Sequence, residues 1–338
     1  MSVRHLSPGL SRFTRFPSTS LIFAALGFGL SFGAPLSAQI VPLGGDIAVS
    51  LPDGDLESGA NIAADRNGGW GVTWKSAHLD VFPDIGRQRR FDRDDHPVSG
   101  SLRDHDLPSA DLGLDGGGKG VTAGVRQRPE LGGAEVAAQC FDRLGATASA
   151  AVRVDTGAIS QVSPYPGAVS IATASDGRSV VAWQEILRVP LALPSVYFRM
   201  LGADCAPEGE VISLGSVGTI GRSQPHVAVR GDGTIALVWI EGEQDSNLHV
   251  RAQLFDPDGA PLGSSSIAGP SGRLPSEPRV AVSASGLIAV VWKSDLQPPT
   301  SGSGTGIGAR VLAADGTPTG DVLLLRSSRA ANTAAPAV

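Results

Sequence analysis

The chain has 338 residues, a formal net charge of -6 and no run of like charges, which gives no electrostatic footprint for nucleic acid or an anionic membrane. Its 44 Gly and 24 Pro residues exclude an architecture of long helices, whereas an apolar fraction of 41% suffices for a sizeable core. The apolar residues come in short bursts bounded by Gly, Pro, Asp and Ser, a pattern typical of many short strands and of an all-β fold.

The N-terminus has the pattern of a secretory signal peptide. Three arginines precede an apolar run over 21–32, and small residues up to Ala38 offer a cleavage site. The run is too short to span a bilayer comfortably, and no later segment is long and apolar enough to do so. We therefore expect residues 1–38 to be removed, no transmembrane segment to remain, and the mature protein to be secreted, periplasmic or at the cell surface. A retained N-terminal anchor is the alternative.

Residues 224–263 contain the clearest copy of an internal repeat. A short apolar strand, an Asp-Gly turn at 231–233 and a fully apolar run over 234–240 lead into a partly alternating segment over 248–255. A second turn at 256–259 precedes a weak last strand. The pattern predicts a four-stranded antiparallel meander.

Tryptophan ends the second strand of most copies, and these residues are Trp74, Trp183, Trp239 and Trp292. We expect Trp183, Trp239 and Trp292 to be buried between neighbouring sheets rather than to form a ligand platform. The separations are 109, 56 and 53 residues, so the first gap has room for one more copy. That hidden copy has no Trp, and we expect 119–125 to pair with 135–141, with Phe141 in the place of Phe255. Because the hidden copy is rich in Gly, we also expect it to be the loosest part of the fold, cut first by protease within 104–120.

Five copies over 39–326 then follow, at 57–103, 104–155, 156–215, 216–269 and 270–326. A period of about 55 residues with four strands per copy indicates a radial array, because blades packed face to face bury surfaces that one sheet would expose. We therefore predict an all-β fold, a β-propeller of about five four-stranded antiparallel blades. The Ala-, Ser- and Pro-rich tail over 327–338 is expected to be disordered.

The sequence also bears on how the ring of blades is closed. Residues 45–51 have the pattern of a fourth strand, which favours a ring closed by an overlapping N-terminal strand. An open array, or a ring completed by a partner, is the alternative.

The copies resemble a known family. They follow P-x-V-A-V-x-x-D-G-x-x-x-V-V-W-x-S and, after a variable loop, A-R-x-F-D-x-x-G-x-P-x-G, as at 225–239 with 250–263 and 278–294 with 309–320. These motifs resemble the tandem propeller-type repeats of secreted and surface-exposed bacterial proteins. The first two copies depart from the pattern, one with Asn-Gly-Gly at 67–69 and the other without the Trp. The resemblance implies an architecture and an extracellular location, but no activity and no catalytic residues.

In such a blade the first-to-second and third-to-fourth turns lie on one side of the ring, here called the short-turn face. The second-to-third loops and the connections between blades lie on the other side, the variable face. Because binding sites concentrate on variable loops held by a rigid scaffold, we expect a ligand site on the variable face. Its candidate residues are Glu185, Arg188, Arg222, Glu241, Arg273 and Lys293.

No catalytic residue, metal site or cofactor is indicated. Glu185 and Glu241 follow their Trp at the same spacing, but spacing alone does not show the defined carboxylate separation that a glycosidase needs, and solvated charges explain both. A sialidase-like site would need a Tyr nucleophile and an arginine cluster, and the turn spacing does not fit that family. The Asp-rich turns are explained by local hydrogen bonds rather than by calcium, and the histidines have no zinc spacing.

The two cysteines, Cys140 and Cys205, belong to the third-strand regions of adjacent copies. A disulfide suits an exported protein. However, one Cys lies in a strand and the other in the turn beyond it, and blades diverge outward, while pairing requires Cα atoms within about 7 Å. The sequence leaves the pairing open.

We therefore expect an exported binding or surface-interaction module with a carbohydrate or protein partner. A polysaccharide hydrolase or lyase on the same scaffold is the alternative, and a purely structural repeat segment is a second one, because a fold does not decide function. Without a catalytic signature, catalysis is the less favoured of these interpretations.

Overall fold

The computed structural model describes residues 12–13, 47–50, 55–77, 84–108, 110–128, 133–155, 169–185, 193–215, 220–243, 246–269, 275–295 and 305–326. Five four-stranded antiparallel sheets follow one another along the chain, and in each the strands pair in sequence order. The sheets form a five-bladed β-propeller, which confirms the predicted fold class. Among the residues that the structure describes, no helix could cross a membrane.

A two-stranded pair, β1 (Arg12–Phe13) and β2 (Ile47–Ala48), precedes the blades. Blade 1 comprises β3 (Leu56–Ala64), β4 (Trp70–Ala77), β5 (Ile85–Phe91) and β6 (Arg103–His105). Blade 2 comprises β7 (Asp111–Leu114), β8 (Gly120–Arg128), β9 (Gly133–Phe141) and β10 (Val152–Arg153). Blade 3 comprises β11 (Val169–Thr173), β12 (Ser179–Glu185), β13 (Ser195–Leu201) and β14 (Pro207–Ser213).

Blade 4 comprises β15 (Ile220–Val229), β16 (Ile235–Glu243), β17 (Ser246–Phe255) and β18 (Pro261–Gly269). Blade 5 comprises β19 (Ser276–Val282), β20 (Ile288–Asp295), β21 (Thr305–Leu312) and β22 (Leu323–Arg326). The first strands of consecutive blades contact each other in the order β3, β7, β11, β15 and β19, so these strands surround the propeller axis. The predicted tail and most of the predicted signal peptide lie outside the described residues.

The turns of the short-turn face share one conformation. In the turn at 115–118, Asp115 Oδ1 accepts the backbone N–H groups of Gly117 and Lys119 at 2.8 Å each, and Gly118 is left-handed with φ 85°. Gly occupies that left-handed position in all such turns except two, which have Asp95 and Cys205. A residue with a Cβ is disfavoured there, and each exception makes a specific side-chain bond. Asp95 accepts a hydrogen bond from a Trp indole, and Cys205 forms a disulfide.

The hidden copy is a complete blade. Strands β8 and β9 pair along their whole length, and Phe141 lies opposite Gly120 as Phe255 lies opposite Ile235, which confirms the predicted pairing. Strands β8 and β9 are buried over most of their length. That this blade is the loosest part of the fold, and is cut first by protease, stays a prediction.

In blade 2, a residue that lies outside the strands occupies the space that Trp fills in the other blades. Gly124 lies at the strand position that Trp occupies in the other blades. A Cβ at Gly124 would lie only 3.0 Å from Ala110 Cα. Leu107, from the connection before β7, is fully buried and packs with Ala110 and with Ala137, which lies opposite Gly124. A residue from the connection between blades therefore replaces the tryptophan.

The predicted burial of the tryptophans is confirmed. Trp183, Trp239 and Trp292 have equivalent registers, and each is almost inaccessible to solvent. Each packs in an apolar cluster with the preceding blade; Trp239, for example, lies in the cluster that contains Phe198 of blade 3. These aromatic side chains therefore hold consecutive blades together.

A disulfide between Cys140 and Cys205 joins blades 2 and 3, with the Cα atoms 6.0 Å apart. The expected divergence of the blades does not separate the two residues. Both are buried in the apolar cluster between blades 2 and 3, where the third-to-fourth turn of blade 3 reaches the end of β9.

In the part of the predicted closure strand that the structure describes, residues 47–50, no pairing with blade 5 is observed. Strand β2 pairs with β1, and the four strands of blade 5 are contiguous in sequence, so β22 already has the position that the N-terminal strand was expected to take. The contact between blades 5 and 1 also differs from the others. One inner-strand position is buried against the preceding blade in four cases, which are Leu112, Ile171, Val227 and Val280. Its equivalent in blade 1, Ile62, is 58% exposed, and no apolar cluster of described residues joins blades 5 and 1.

Candidate ligand site

Five polar side chains, one from the first strand of each blade, share one register. Each lies opposite the residue that precedes the Trp position, or its equivalent, on the second strand. Because the first strands surround the axis, these residues form a ring that we call the axial ring. Its members are Asn61, Asp111, Ser170, His226 and Arg279.

Four members of the axial ring bind the backbone of the next blade. The links are Asn61 Nδ2 to Ala110 O at 3.1 Å, Ile171 N to Asp111 Oδ2 at 3.0 Å, Val227 N to Ser170 Oγ at 3.3 Å, and Val280 N to His226 Nδ1 at 3.3 Å. Backbone groups on the inner edge of a sheet have no neighbouring strand, so a polar side chain at this register satisfies them. Arg279 departs from the pattern, because it donates to Pro278 O of its own blade at 3.1 Å and its next blade lies across the incomplete interface.

Electrostatics distinguishes the members of the ring. Burial raises the pKa of Asp111, against the opposing effects of backbone N–H donors, the Arg279 charge and the Ser170 hydroxyl. Burial, with a smaller effect of Arg279, lowers the pKa of His226 to about 3, so its imidazole is neutral at ordinary pH. Since His226 Nδ1 accepts the Val280 N–H group, we assign the ring proton to Nε2, which makes Nε2 a donor. The ring thus combines a carboxylate, a guanidinium and a neutral imidazole.

The rim of the axial ring, two residues toward the variable face, has a left-handed backbone in three blades. Gly59, Gln224 and Glu277 are left-handed, with φ of 63°, 52° and 52°, and the strand register shifts at each. Gln224 Oε1 accepts the Glu277 N–H group at 2.6 Å, and Glu277 lies 3.8 Å from Lys293. A left-handed residue with a Cβ costs about 1 to 2 kcal/mol, and bulges are over-represented beside functional sites. The rim therefore marks this end of the axis as a candidate site.

Two predicted site residues, Arg222 and Glu241, lie together but satisfy each other. Glu241 accepts Arg222 Nε at 2.7 Å, Arg251 Nε at 2.8 Å and the Trp239 indole at 3.3 Å. Burial opposes ionisation, but Arg222 and Arg251 outweigh it and lower the pKa of Glu241. A carboxylate that is ionised and accepts three hydrogen bonds is suited to holding strands together, and it has no proton to donate.

The other predicted site residues have separate positions. Glu185 ends β12, opposite Ser195, and is half-buried. Lys293 contacts the rim through Glu277. Arg188 and Arg273 lie outside the described residues. In the described ranges no group of three or more His, Cys, Asp or Glu side chains is placed to hold a metal ion.

The axial ring itself was missed by sequence reasoning, although a signal was present. In each copy one polar residue directly precedes the apolar residue of the first strand, four positions before the short turn, as in His-Val-Ala-Val at 226–229 and Arg-Val-Ala-Val at 279–282. A strand that starts with a polar residue looks like an ordinary solvent-exposed end. Only the radial arrangement brings the five positions to one axis.

The sequence matches no family model and no curated protein. Solved structures do match the fold. A protein of unknown function from Dyadobacter fermentans has a TM-score of 0.53 at 11% identity, over 80% of this chain and 83% of that one. An α-L-arabinofuranosidase from Fusarium graminearum, solved with an iminosugar inhibitor, has a TM-score of 0.50 at 12% identity, over 80% and 93%. A thermostable family-43 glycoside hydrolase has a TM-score of 0.43 at 12% identity, over 81% and 95%. At these identities the likeness is one of fold alone.

Proposed function

We propose that the protein is an exported carbohydrate-binding propeller whose ligand lies over the axial ring on the variable face. The observation that carries this proposal is the convergence of one polar side chain per blade on the axis, below a rim of left-handed residues. Such a site lies on the strands of a rigid scaffold and offers a few convergent polar groups, as small-molecule sites do.

The chemistry of the ring suits a polyhydroxylated ligand. Sugar hydroxyls both donate and accept hydrogen bonds, and the ring offers an acceptor in Asp111 together with donors in Arg279 and His226 Nε2. One carboxylate and one guanidinium balance each other, which favours an uncharged glycan over a strongly charged one. The α-L-arabinofuranosidase shares the architecture, but a shared fold carries no residue role to this chain.

Export is supported by two features. The N-terminus has the charged, apolar and small-residue segments of a secretory signal. The disulfide between Cys140 and Cys205 suits an oxidising compartment.

A polysaccharide hydrolase is the second candidate, and one observation favours it. Asp111 has a raised pKa, as a general acid requires, and Glu277, a second carboxylate, lies at the rim two residues before Arg279 of the ring. In that case Asp111 would protonate the leaving-group oxygen while Glu277 activates water. Hydrolysis would then require both carboxylates, whereas binding alone would depend on the whole ring.

Calorimetric titration of the mature protein with a panel of arabinan, xylan and galactan oligosaccharides tests the proposal. Arg279→Met should weaken binding of the best ligand at least about tenfold, because it removes a charged donor. Arg143→Met, at an exposed position on the short-turn face, is the matched control and should bind as wild type. Equal affinity of the two variants, or no binding to any oligosaccharide of the panel, would contradict the proposal. Product release that is lost in Asp111→Asn would identify the hydrolase.

A further inference from the structure

The N-terminal segment at 47–50 packs on blade 1 as the fourth strand of a preceding blade would. Blades 1, 3 and 5 have Arg at one register of the third strand, opposite the residue two before the Trp. Each of these arginines donates from Nη1 to a backbone carbonyl across its interface: Arg199 to Val154 at 3.1 Å, Arg310 to Ile267 at 3.0 Å and Arg89 to Val49 at 2.9 Å. Val49 therefore has the position of a fourth-strand residue on the open side of blade 1.

The residue at this position packs with the Trp of the blade that follows. Leu214 has it in blade 3, because the N–H groups of Leu214 and Val154 bind third-strand carbonyls of the same register. Leu214 packs in one apolar cluster with Trp239, and Val49 packs in another with Trp74. The open side of blade 1 can therefore be compared with the interface between blades 3 and 4, residue by residue.

In the interface between blades 3 and 4 a guanidinium lies beside the tryptophan. The guanidinium carbon of Arg222 lies over the Trp239 ring, 5.9 Å from the ring centroid. Its Nη1 donates to the carbonyl oxygen of Leu214 and, at 3.3 Å, to that of Gly215. Glu241 accepts hydrogen bonds from both Arg222 Nε and the Trp239 indole. An aromatic ring, two carbonyls and a carboxylate thus hold the cation.

In blade 1 the corresponding place is an open space of about 120 Å³, here called the blade 1 pocket. Glu57 has the register of Arg222, and Ser76 has the register of Glu241. The other groups that hold the cation in blade 4 have counterparts in the pocket lining, which are Trp74, Val49 and Ser50. The volume is below the roughly 300 to 1,000 Å³ of small-molecule sites, so it suits a single side chain.

The charges around the blade 1 pocket favour a cation. Guanidinium nitrogens of Arg87 lie 3.1 to 3.5 Å from oxygens of three carboxylates, which belong to Asp55, Glu57 and Asp104. In blade 4 the ratio is reversed, because Arg222 and Arg251 share the single carboxylate of Glu241. Blade 1 therefore carries negative charge where blade 4 carries a second arginine, and a cation complements it.

The Trp74 indole adds a donor without an acceptor. Trp74 is 4% exposed, and its Nε1 has no hydrogen-bond partner among the described residues, whereas Trp239 Nε1 binds Glu241. Trp183 Nε1 also lacks an acceptor, so this donor alone would define no site, but Trp74 borders an open space. An occupant should therefore bring an acceptor as well as a cation. An arginine in a peptide chain brings both, because its backbone carbonyl accepts hydrogen bonds.

We propose that the blade 1 pocket is a docking site for an arginine side chain of a protein partner. The guanidinium lies over Trp74, donates to the backbone carbonyls at 49–50 and pairs with Glu57. Ile62, whose equivalents in the other blades face the preceding blade, receives an apolar side chain of the same partner segment. The site is separate from the axial ring and from its carbohydrate ligand.

NMR titration of the mature protein with a short peptide tests this inference. The probe is acetyl-Ile-Gly-Arg-Ser-Gln-amide, which repeats the sequence at 220–224, and the matched control has citrulline in place of arginine. The indole N–H signal of Trp74, assigned with Trp74→Phe, reports binding. The arginine peptide should shift this signal and bind at least about tenfold more tightly than the citrulline peptide, because only the guanidinium is charged. Equal affinities, or an unshifted Trp74 signal, would overturn the proposal.

Two substitutions of Glu57 separate occupation of the pocket from loss of charge. Glu57→Arg gives blade 1 the side chain that Arg222 supplies in blade 4, so the chain itself fills the pocket and peptide binding should be lost. Glu57→Gln keeps the size of the side chain and removes its charge, so affinity should fall at least about fivefold. Wild-type affinity in both variants would show that the peptide binds elsewhere. Arg279→Met should bind the peptide as wild type does, which separates this result from the outcome at the axial ring.

A chain that ends at Arg326 tests another occupant. Residues 327–338 follow blade 5 and contain one arginine, Arg329. The shortened chain should bind the peptide as the full mature chain does. A tenfold gain in affinity on shortening would show that the tail occupies the pocket, and it would overturn the assignment to a partner.

Discussion

Blades 2 and 4 have the same strand order and register, yet they fill the tryptophan position in different ways. Blade 4 places Trp239 against the preceding blade. Blade 2 has Gly124 at that register and buries Leu107 from the connection between blades. Each blade therefore needs the space against its neighbour to be filled, but the residue that fills it need not be a tryptophan. A degenerate copy therefore remains a complete blade when other residues of the chain supply the missing volume.

Among the changes that test this comparison, removal of Trp239 should have the largest effect on stability. Trp239→Ala leaves a cavity in a close-packed cluster and should lower the free energy of unfolding by about 3 to 5 kcal/mol, as measured by chemical denaturation. Leu107→Ala is the matched variant in blade 2 and should cost about 2 to 4 kcal/mol. If Leu107→Ala leaves stability unchanged, Leu107 does not replace the tryptophan.

Removal of the disulfide should have a smaller effect, confined to blades 2 and 3. The two cysteines are 65 residues apart, and loss of the link by Cys140→Ser with Cys205→Ser should cost about 2 to 4 kcal/mol of unfolding free energy. Cys140→Ser with Cys205→Gly should recover about 1 kcal/mol, because Gly accepts the left-handed conformation without strain. Equal stability of the two double variants would show that the strain at Cys205 is negligible.

The smallest expected effect concerns the hydrogen bond between the axial-ring residue of one blade and the backbone of the next blade. Blade 2 uses the carboxylate of Asp111, whereas blade 4 uses the imidazole of His226. The pKa of His226 is about 3 in the folded protein and about 6.5 when unfolded, so the unfolded chain binds the extra proton. Stability from this group is complete above about pH 6.5 and is lost as the pH falls toward 3.

The His226→Ser variant replaces the imidazole with a serine hydroxyl, which is the acceptor that Ser170 supplies in blade 3. The loss of unfolding free energy between pH 7 and pH 5.5 should be smaller in this variant by about 1 kcal/mol. Some pH dependence should remain, because burial also lowers the pKa of His105, to about 4. Chemical denaturation at the two pH values measures the difference, and parallel curves for wild type and variant would exclude His226 as the source.

The variable-face site was only partly predictable from the sequence, and none of the axial-ring residues was among the residues predicted for it. Arg222 and Glu241 were both identified, but their pairing depends on the bulge before His226. The register shifts by one residue there, which places Arg222 opposite Glu241. The bulge is formed by Gln224 in a left-handed conformation that Gln rarely adopts, so no local propensity predicts it.

The sequence by itself determined the number of blades, the order of their strands and the position of Phe141, because short turns and apolar periodicity act over a few residues. The ring at the axis, the disulfide and the exposed Ile62 were decided only by the tertiary structure. Each of these depends on how one blade packs against another, across 40 residues or more of chain. Such contacts are set by the radial arrangement as a whole, and local patterns do not record them.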